Sequence, residues 1–389
     1  KKIVLTISIY LIHINSFAQI PSIEWQKCIG GSAHDDPKSI IQTSDGGYIV
    51  AGTTNSTDFD VTDNHGGRDF LVVKLDATGN IQWKKCYGGT NDDFAYTIIE
   101  TSDGGYLVGG ETSSNDGDVI GNTFGSTISH SWLFKVNTLG VIQWQRFLAV
   151  GQIHSSIRQI HEDIDNTIII TGNCYAAQAT LSYNDSFITR LNSNGSNNWL
   201  TPVLLGGSYH DNIYSMSATN DGGFILAGST FSRNGIFSVN HGTGAVCDYW
   251  IVKVNSLGTN QWQKLYGGSG NDEANSIIQT SDGGYIVAGY TLSYNDGDVT
   301  GNHSSGYYDY WIVKLDNTGN LEWQKCYGSI YDDVANCIIQ NSDGGYTVAG
   351  YARETVGGDA TGNHGNSDFW VTKLSPNGTI IWQKSLGGS

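Results

Sequence analysis

A tryptophan recurs about every sixty residues through this chain, at Trp25, Trp83, Trp144, Trp199, Trp262, Trp323 and Trp382, and a period of that length narrows the fold before any other residue is considered. A tight-turn sequence keeps step with it, as Ser44–Tyr48, Ser102–Tyr106, Asn220–Phe224, Ser281–Tyr285 and Ser342–Tyr346. The third unit departs, its turn reduced to Asp165-Asn166-Thr167. A chain that repeats one supersecondary unit must bury each copy against its neighbours.

Each unit reads as four short strands, termed A to D. In the first they are Ser39–Gln42, Tyr48–Thr53, Phe70–Leu75 and Ile81–Tyr87. Asp45-Gly46-Gly47 between A and B, and Thr78-Gly79-Asn80 between C and D, are hairpin signals, since glycine reaches the positive φ of tight turns. Strands B and C are apolar on both faces, as in Ile49-Val50-Ala51 and Phe70-Leu71-Val72-Val73, the pattern of a sheet covered on both sides. Four-stranded antiparallel units of this size, set radially, are the blades of a β-propeller. The expected fold is all-β: a β-propeller of about sixty-residue four-stranded blades, six of them visible, at approximately 38–88, 97–149, 156–204, 213–267, 274–327 and 335–386 within a domain 19–389. A solenoid is the alternative. An extra D-type strand, 23–28, precedes the first blade. Either six blades close on their own D strands and leave it spare, or the ring holds further blades.

Lys1-Lys2, the apolar run Ile3 to Ile14 and Ser16-Phe17-Ala18 before Gln19 have the basic, hydrophobic and small-residue order of a secretory signal peptide, 1–18. The run is too short to span a membrane. The expectation is a secreted or cell-surface monomer, with neither a lipid anchor nor membrane insertion. The missing initiator Met and the break at Leu386-Gly387-Gly388-Ser389 imply a longer product. A formal net charge of −17 repels phosphate backbones, so nucleic acid is not an expected partner, while cations and neutral ligands such as sugars are compatible. Of six cysteines, Cys28, Cys86 and Cys326 share one place in their units, a full repeat apart and beyond the roughly 4.4–6.8 Å Cα spacing of a disulfide. Buried free thiols are expected. Cys326 and Cys337 form the one close pair in sequence.

Blade geometry puts the A–B and C–D turns on one flat face and the longer B–C and D–A loops on the other, where function usually sits. In one such loop Asp296-Gly297-Asp298-Val299-Thr300-Gly301-Asn302 follows positions one to seven of a calcium loop. It nominates Asp296, Asp298, Thr300 and Asn302 as candidate calcium ligands. Tyr307 stands where the bidentate Glu belongs, and an acidic loop held by Asx turns is the simpler reading. No other cofactor is expected. His65, His241, His303 and His364 share one repeat position after asparagine, which suits a structural job done once per blade rather than a catalytic base. The acid pairs Asp35-Asp36, Asp92-Asp93 and Asp332-Asp333 repeat too, unlike a glycosidase pair. Cys-x-x-Cys, Gly-x-Ser-x-Gly, phosphate-loop and His-Glu-x-x-His motifs are absent.

The segment Leu75-Asp76-Ala77-Thr78-Gly79-Asn80-Ile81-Gln82-Trp83 resembles the tryptophan-docking motif of quinoprotein propellers, one residue shorter in the turn. The resemblance implies that the tryptophan packs against the adjacent blade. Whole units, with Trp-Gln-Lys, Gly-Gly-Ser, Ser-Asp-Gly-Gly-Tyr and Gly-Asn-His-Gly in this order, are similar to the secreted bacterial β-propeller repeat proteins of the type IX secretion route. That likeness covers 23–389 and implies export, without specifying a ligand. The leading expectation is a non-enzymatic scaffold that binds carbohydrate or protein through its long-loop face. The alternatives are a propeller enzyme, a glycoside hydrolase or lyase with its acids in the divergent third unit, and a quinone-dependent oxidoreductase.

Overall fold

A computed structural model describes residues 20–388 apart from 126–127, 149, 151–153, 179–180, 200, 235–236, 238–239, 243–245 and 354–356. The predicted signal peptide, 1–18, lies outside the described residues. The first blade is β1 (Asp35–Gln42), β2 (Tyr48–Thr54), β3 (Asp69–Leu75) and β4 (Ile81–Tyr87), and the second is β5 (Asp93–Glu100), β6 (Tyr106–Thr112), β7 (His130–Val136) and β8 (Ile142–Leu148). The third is β9 (Ser155–Glu162), β10 (Ile168–Gln178), β11 (Leu181–Leu191) and β12 (Val203–Leu205). The fourth is β13 (Asp211–Ala218), β14 (Phe224–Thr230), β15 (Asp248–Val254) and β16 (Asn260–Tyr266); the fifth β17 (Asp272–Gln279), β18 (Tyr285–Thr291), β19 (Asp309–Leu315) and β20 (Leu321–Tyr327). The sixth is β21 (Asp333–Gln340), β22 (Tyr346–Ala352), β23 (Asp368–Leu374) and β24 (Ile380–Leu386). Each set forms one antiparallel sheet in the order A-B-C-D, so the chain is a β-propeller of six four-stranded blades.

The packing follows from the residues. Strands C of the second, fourth and fifth blades are buried along their whole length because each sheet is covered by its neighbours. Their tryptophans, Trp132, Trp250 and Trp311, are fully buried. Each indole N–H is satisfied by the glutamine one residue after the periodic tryptophan, as in Trp311 Nε1 to Gln324 Oε1 at 2.8 Å, and this spares the core an orphaned donor. The periodic tryptophan itself docks on the next blade, as the resemblance implied. Trp262 lies on Gly319, whose φ of +79° and missing Cβ leave the ring its place, and the Tyr266 hydroxyl donates to the Gly319 carbonyl. On the flat face a buried strand-C lysine reaches the A–B turn of its own blade. Lys74 Nζ bonds Asp45 at 2.9 Å, and the Thr43 and Lys74 hydrogen bonds hold the Asp45 carboxyl down at about 2.

Four expectations are corrected. Residues 23–28 make no β-ladder; Trp25 nevertheless docks on Gly79. Strand A starts earlier than the hydrophobic pattern suggested, at Asp35 or Asp93, because the aspartate is held by threonine and serine hydroxyls rather than by an apolar side chain. The third unit replaces its long B–C loop with an extended hairpin, β10 pairing β11 from Ile168↔Leu191 out to Gln178↔Leu181. All six cysteines are free, without a Cys326–Cys337 bridge, and Cys28 and Cys337 are exposed where buried thiols were expected. The cause of both exposures is the absence of a sheet over those positions.

Candidate functional site

The loop face is fixed by buried carboxylates. The first residue of strand A is an aspartate in five blades. Asp272 Oδ2 accepts from Gly268 N–H at 2.8 Å and from the Ser293 hydroxyl at 2.9 Å, while the Thr291 hydroxyl donates to Oδ1. Asp93 and Asp211 repeat the arrangement with Thr112 and Ser114, and with Thr230 and Ser232. Burial outweighs these bonds, raising Asp93 to about 6 and Asp272 and Asp333 to about 7. In blade six Ala352 replaces the threonine, and Asp333 Oδ1 takes the Arg353 N–H instead.

The four repeated histidines do the structural job their spacing suggested. His65, His241, His303 and His364 each bring backbone N–H and ring Nδ1 to the buried aspartate that opens strand C, at 2.6–3.0 Å through the ring. Nε2 faces the next blade: His303 lies 3.4 Å from Asp359 and His241 3.8 Å from Asp298. Hydrogen bonds to Asp309 and Asp359 lift His303 to about 10, so it is a charged bridge between blades rather than a base.

The nominated calcium ligands lie within this same scaffolding. Asp296 Oδ1 accepts from Ser269 N–H at 3.0 Å, as Asp58 does from Ser32 and Asp116 from Thr90. Asp298 Oδ2 accepts from Gly267 N–H at 3.3 Å. The Thr300 hydroxyl bonds Gln324. Asn302 is buried, with Nδ2 donating to the Ser293 carbonyl at 3.0 Å, matching Asn64, Asn122, Asn240 and Asn363 in their loops. Each of the four therefore has its own protein partner. Among the described residues no group of three or more His, Cys, Asp or Glu side chains is placed to hold a metal ion.

Two features escaped the sequence reading. Each A–B ladder carries a bulge, as between Ala95 and Thr97, and the bulged residues are Lys38, Tyr96, Arg158, Tyr214, Asn275 and Asn336. They are of four kinds, Tyr and Asn occurring twice each and Lys and Arg once, and that variation at one repeat position was the available signal. They meet across blade boundaries. The Arg158 guanidinium sits 4.0 Å over the Tyr96 ring, the Tyr96 hydroxyl donates to Glu111 at 3.2 Å, and His154 Nε2 lies 3.0 Å from the other Glu111 oxygen. Further round, burial and then Glu273 push the Tyr214 and Tyr290 hydroxyls upward. The second feature is aromatic. Phe59, Phe124, Tyr209, Tyr294 and Tyr307 stand exposed on the B–C and D–A loops, and Tyr307 packs edge-on against Tyr331 of the following loop at 5.5 Å. No helix among the described residues is long and apolar enough to cross a membrane.

No family model matches the chain. An uncharacterized WD repeat-containing protein of Acanthamoeba polyphaga mimivirus is 25% identical over 224 residues, 52% of this chain but 14% of that protein. Among solved structures, Sqt1 from Chaetomium thermophilum is similar over 92% of this chain and 88% of its own at 11% identity and a TM-score of 0.41. A gluconolactonase from Xanthomonas campestris is similar over 83% and 96% at 9% identity and 0.37. The Synechocystis apocarotenoid oxygenase is similar over 84% and 71% at 12% identity and 0.43. At these scores the likenesses carry no functional weight, and the propeller assignment rests on the strand order.

Proposed function

We propose that this protein is a secreted or cell-surface β-propeller scaffold, without catalytic activity, that binds a carbohydrate or protein ligand through its long-loop face. The observation that carries the reading is the set of exposed aromatic side chains, Phe59, Phe124, Tyr209, Tyr294 and Tyr307, on loops held by buried aspartates. Flat rings that pay little entropy on binding are effective contact groups for sugar faces and protein surfaces. The strand-A aspartates and the four histidines support the non-enzymatic half, because they make the same hydrogen bonds blade after blade. Export rests on the N-terminal pattern of Lys1 to Gln19.

Affinity electrophoresis through a panel of neutral polysaccharides, with Tyr294→Ala and Tyr307→Ala beside the unmodified chain, tests the carbohydrate arm. Retardation weakened roughly tenfold by either substitution is expected for a stacked sugar, about 1.4 kcal/mol. Equal retardation of all three proteins would remove the loop face from the account. A second reading, a glycoside hydrolase or lyase, is favoured by one observation: among the described residues the Tyr96, Glu111, His154 and Arg158 cluster occurs once, not once per blade.

A further inference from the structure

We infer that the ring contains a seventh blade, and that residues 20–28 already occupy the place of its outer strand while its strands A, B and C belong in the gap between the sixth and first sheets. Two contacts set this register. At every internal boundary the periodic tryptophan covers the glycine four residues before the next periodic tryptophan: Trp83 covers Gly140, Trp262 covers Gly319 and Trp323 covers Gly378. Trp25 covers Gly79 in the same way, although it belongs to no described blade. From the other side, the basic residue two after the tryptophan reaches that same turn, as Lys85 Nζ does to the Gly140 carbonyl at 2.9 Å. On the last blade Lys384 Nζ reaches the Pro21 carbonyl at 2.8 Å, and Pro21 stands four residues before Trp25. The segment is thus gripped by blade six at its turn position and grips blade one at its tryptophan position. Those are the two neighbours a seventh D strand would have.

The facing sheets are left uncovered to match. Strands A of successive blades pack together from β1·β5 through β17·β21, whereas β21 and β1 do not pack in this way. Ile40 of β1 is 59% exposed, while its counterparts Ile98, Ile277 and Ile338 are each 1% exposed beneath the preceding blade. On the far side Phe369 is 50% exposed, where Phe70, Tyr249 and Tyr310 are fully buried under the following blade. The backbone shows the same lack. Ser39, Ser215 and Ser276 each accept, through the hydroxyl, the N–H of an isoleucine on the next strand A; the equivalent Cys337 is exposed. An apolar cavity lined by Trp25, Cys28, Ile40, Val50, Leu71 and Val73 opens on this gap. The occupant that fits is a three-stranded meander of the repeat's own A–B–C pattern, running on from β24, because the outer strand it would pair with is already in register. Seven blades lie within the usual range for the architecture.

The test compares the 389-residue chain with the same chain extended by a copy of residues 270–316, the A–B–C set of the fifth blade. Alkylation at Cys337, followed by peptide mass spectrometry, is read beside the melting temperature. The expected result is fast labelling in the unextended chain, slowed at least tenfold by the extension, with a higher melting temperature. Ile40→Asp should leave the unextended chain's melting temperature unchanged and abolish the gain in the extended one. Protection of Cys337 in the unextended monomer, or a lower melting temperature for Ile40→Asp in it, would show six blades closing on themselves and overturn the inference. Protection that grows with protein concentration would assign the gap to a second copy, and labelling unaffected by the extension would leave no place for the meander; either result also overturns it.

Discussion

Replacing Gly319 by alanine isolates the contact on which the blade-to-blade architecture depends. The substitution has two costs. The residue sits at φ +79°, where an L-side chain loses roughly 1–2 kcal/mol. The new Cβ would also lie 2.6 and 2.7 Å from Trp262 ring carbons, and forcing a packed ring aside typically costs about 1–3 kcal/mol. Gly283→Ala is the matched control, since that turn residue has φ +85° and nothing within 4 Å of the added methyl. Urea unfolding should therefore show a loss of ~1–2 kcal/mol for Gly283→Ala and ~2–5 kcal/mol for Gly319→Ala, without a change in m-value. Equal losses within about 0.5 kcal/mol would mean that the tryptophan does not hold the neighbouring blade, and the docking argument would fall.

Stability should peak in mildly acid solution. Asp272 and Asp333, raised to about 7, and Asp93, raised to about 6, bind protons in the folded state before they do in the unfolded one. Their effect therefore favours folding as pH drops from about 7 towards 4. His303, raised to about 10, contributes stability that is lost as pH rises from about 6.5 through 10. Below about 4 the Asp45-type turn carboxylates, held near 2, reverse the trend. The melting temperature should be higher at pH 5 than at pH 8, and the opposite order contradicts the burial argument. Asp272→Ala strips the partners from Gly268 N–H and the Thr291 and Ser293 hydroxyls; a loss of at least ~3 kcal/mol is expected from these three groups at about 1–3 kcal/mol per orphaned buried group, and a change under 0.5 kcal/mol would show the network to be dispensable. Melting in millimolar calcium against chelator is expected to give superimposable curves, because Asp296, Asp298, Thr300 and Asn302 already have protein partners. A rise abolished by Asp296→Ala with Asp298→Ala would establish a calcium site there.

The repeat made most of the fold legible. Strand D of the first blade, Ile81–Tyr87, and the hairpin glycines at 46 and 79 stand where the sequence pattern put them, since local turn chemistry and the buried faces agree. The misses share a cause. Strand A begins ahead of its apolar residues because Asp35 and Asp93 are anchored by polar bonds to residues some twenty positions away, and periodicity does not register such bonds. Residues 23–28 resemble a D strand in sequence but have no strand C to pair with. At the loop face the histidines were understood through their repetition. The Tyr96, Glu111, His154 and Arg158 cluster was not: Tyr96 and Arg158 share the bulge position of successive blades, but the residue type changes there, and Glu111 and His154 join them only through blade packing. The exposed loop aromatics have no periodicity at all; their importance follows only from exposure.

The claim that the loop face binds without catalysing is tested most directly by prolonged incubation with a retained polysaccharide or protein ligand, with mass spectrometry of the ligand afterwards. The account predicts saturable binding, weakened by Tyr294→Ala or Tyr307→Ala, and a ligand recovered at its original mass. Release of cleaved product by the unmodified chain, lost in Glu111→Gln while binding persists, would contradict it and place an active site at the Tyr96, Glu111, His154 and Arg158 cluster.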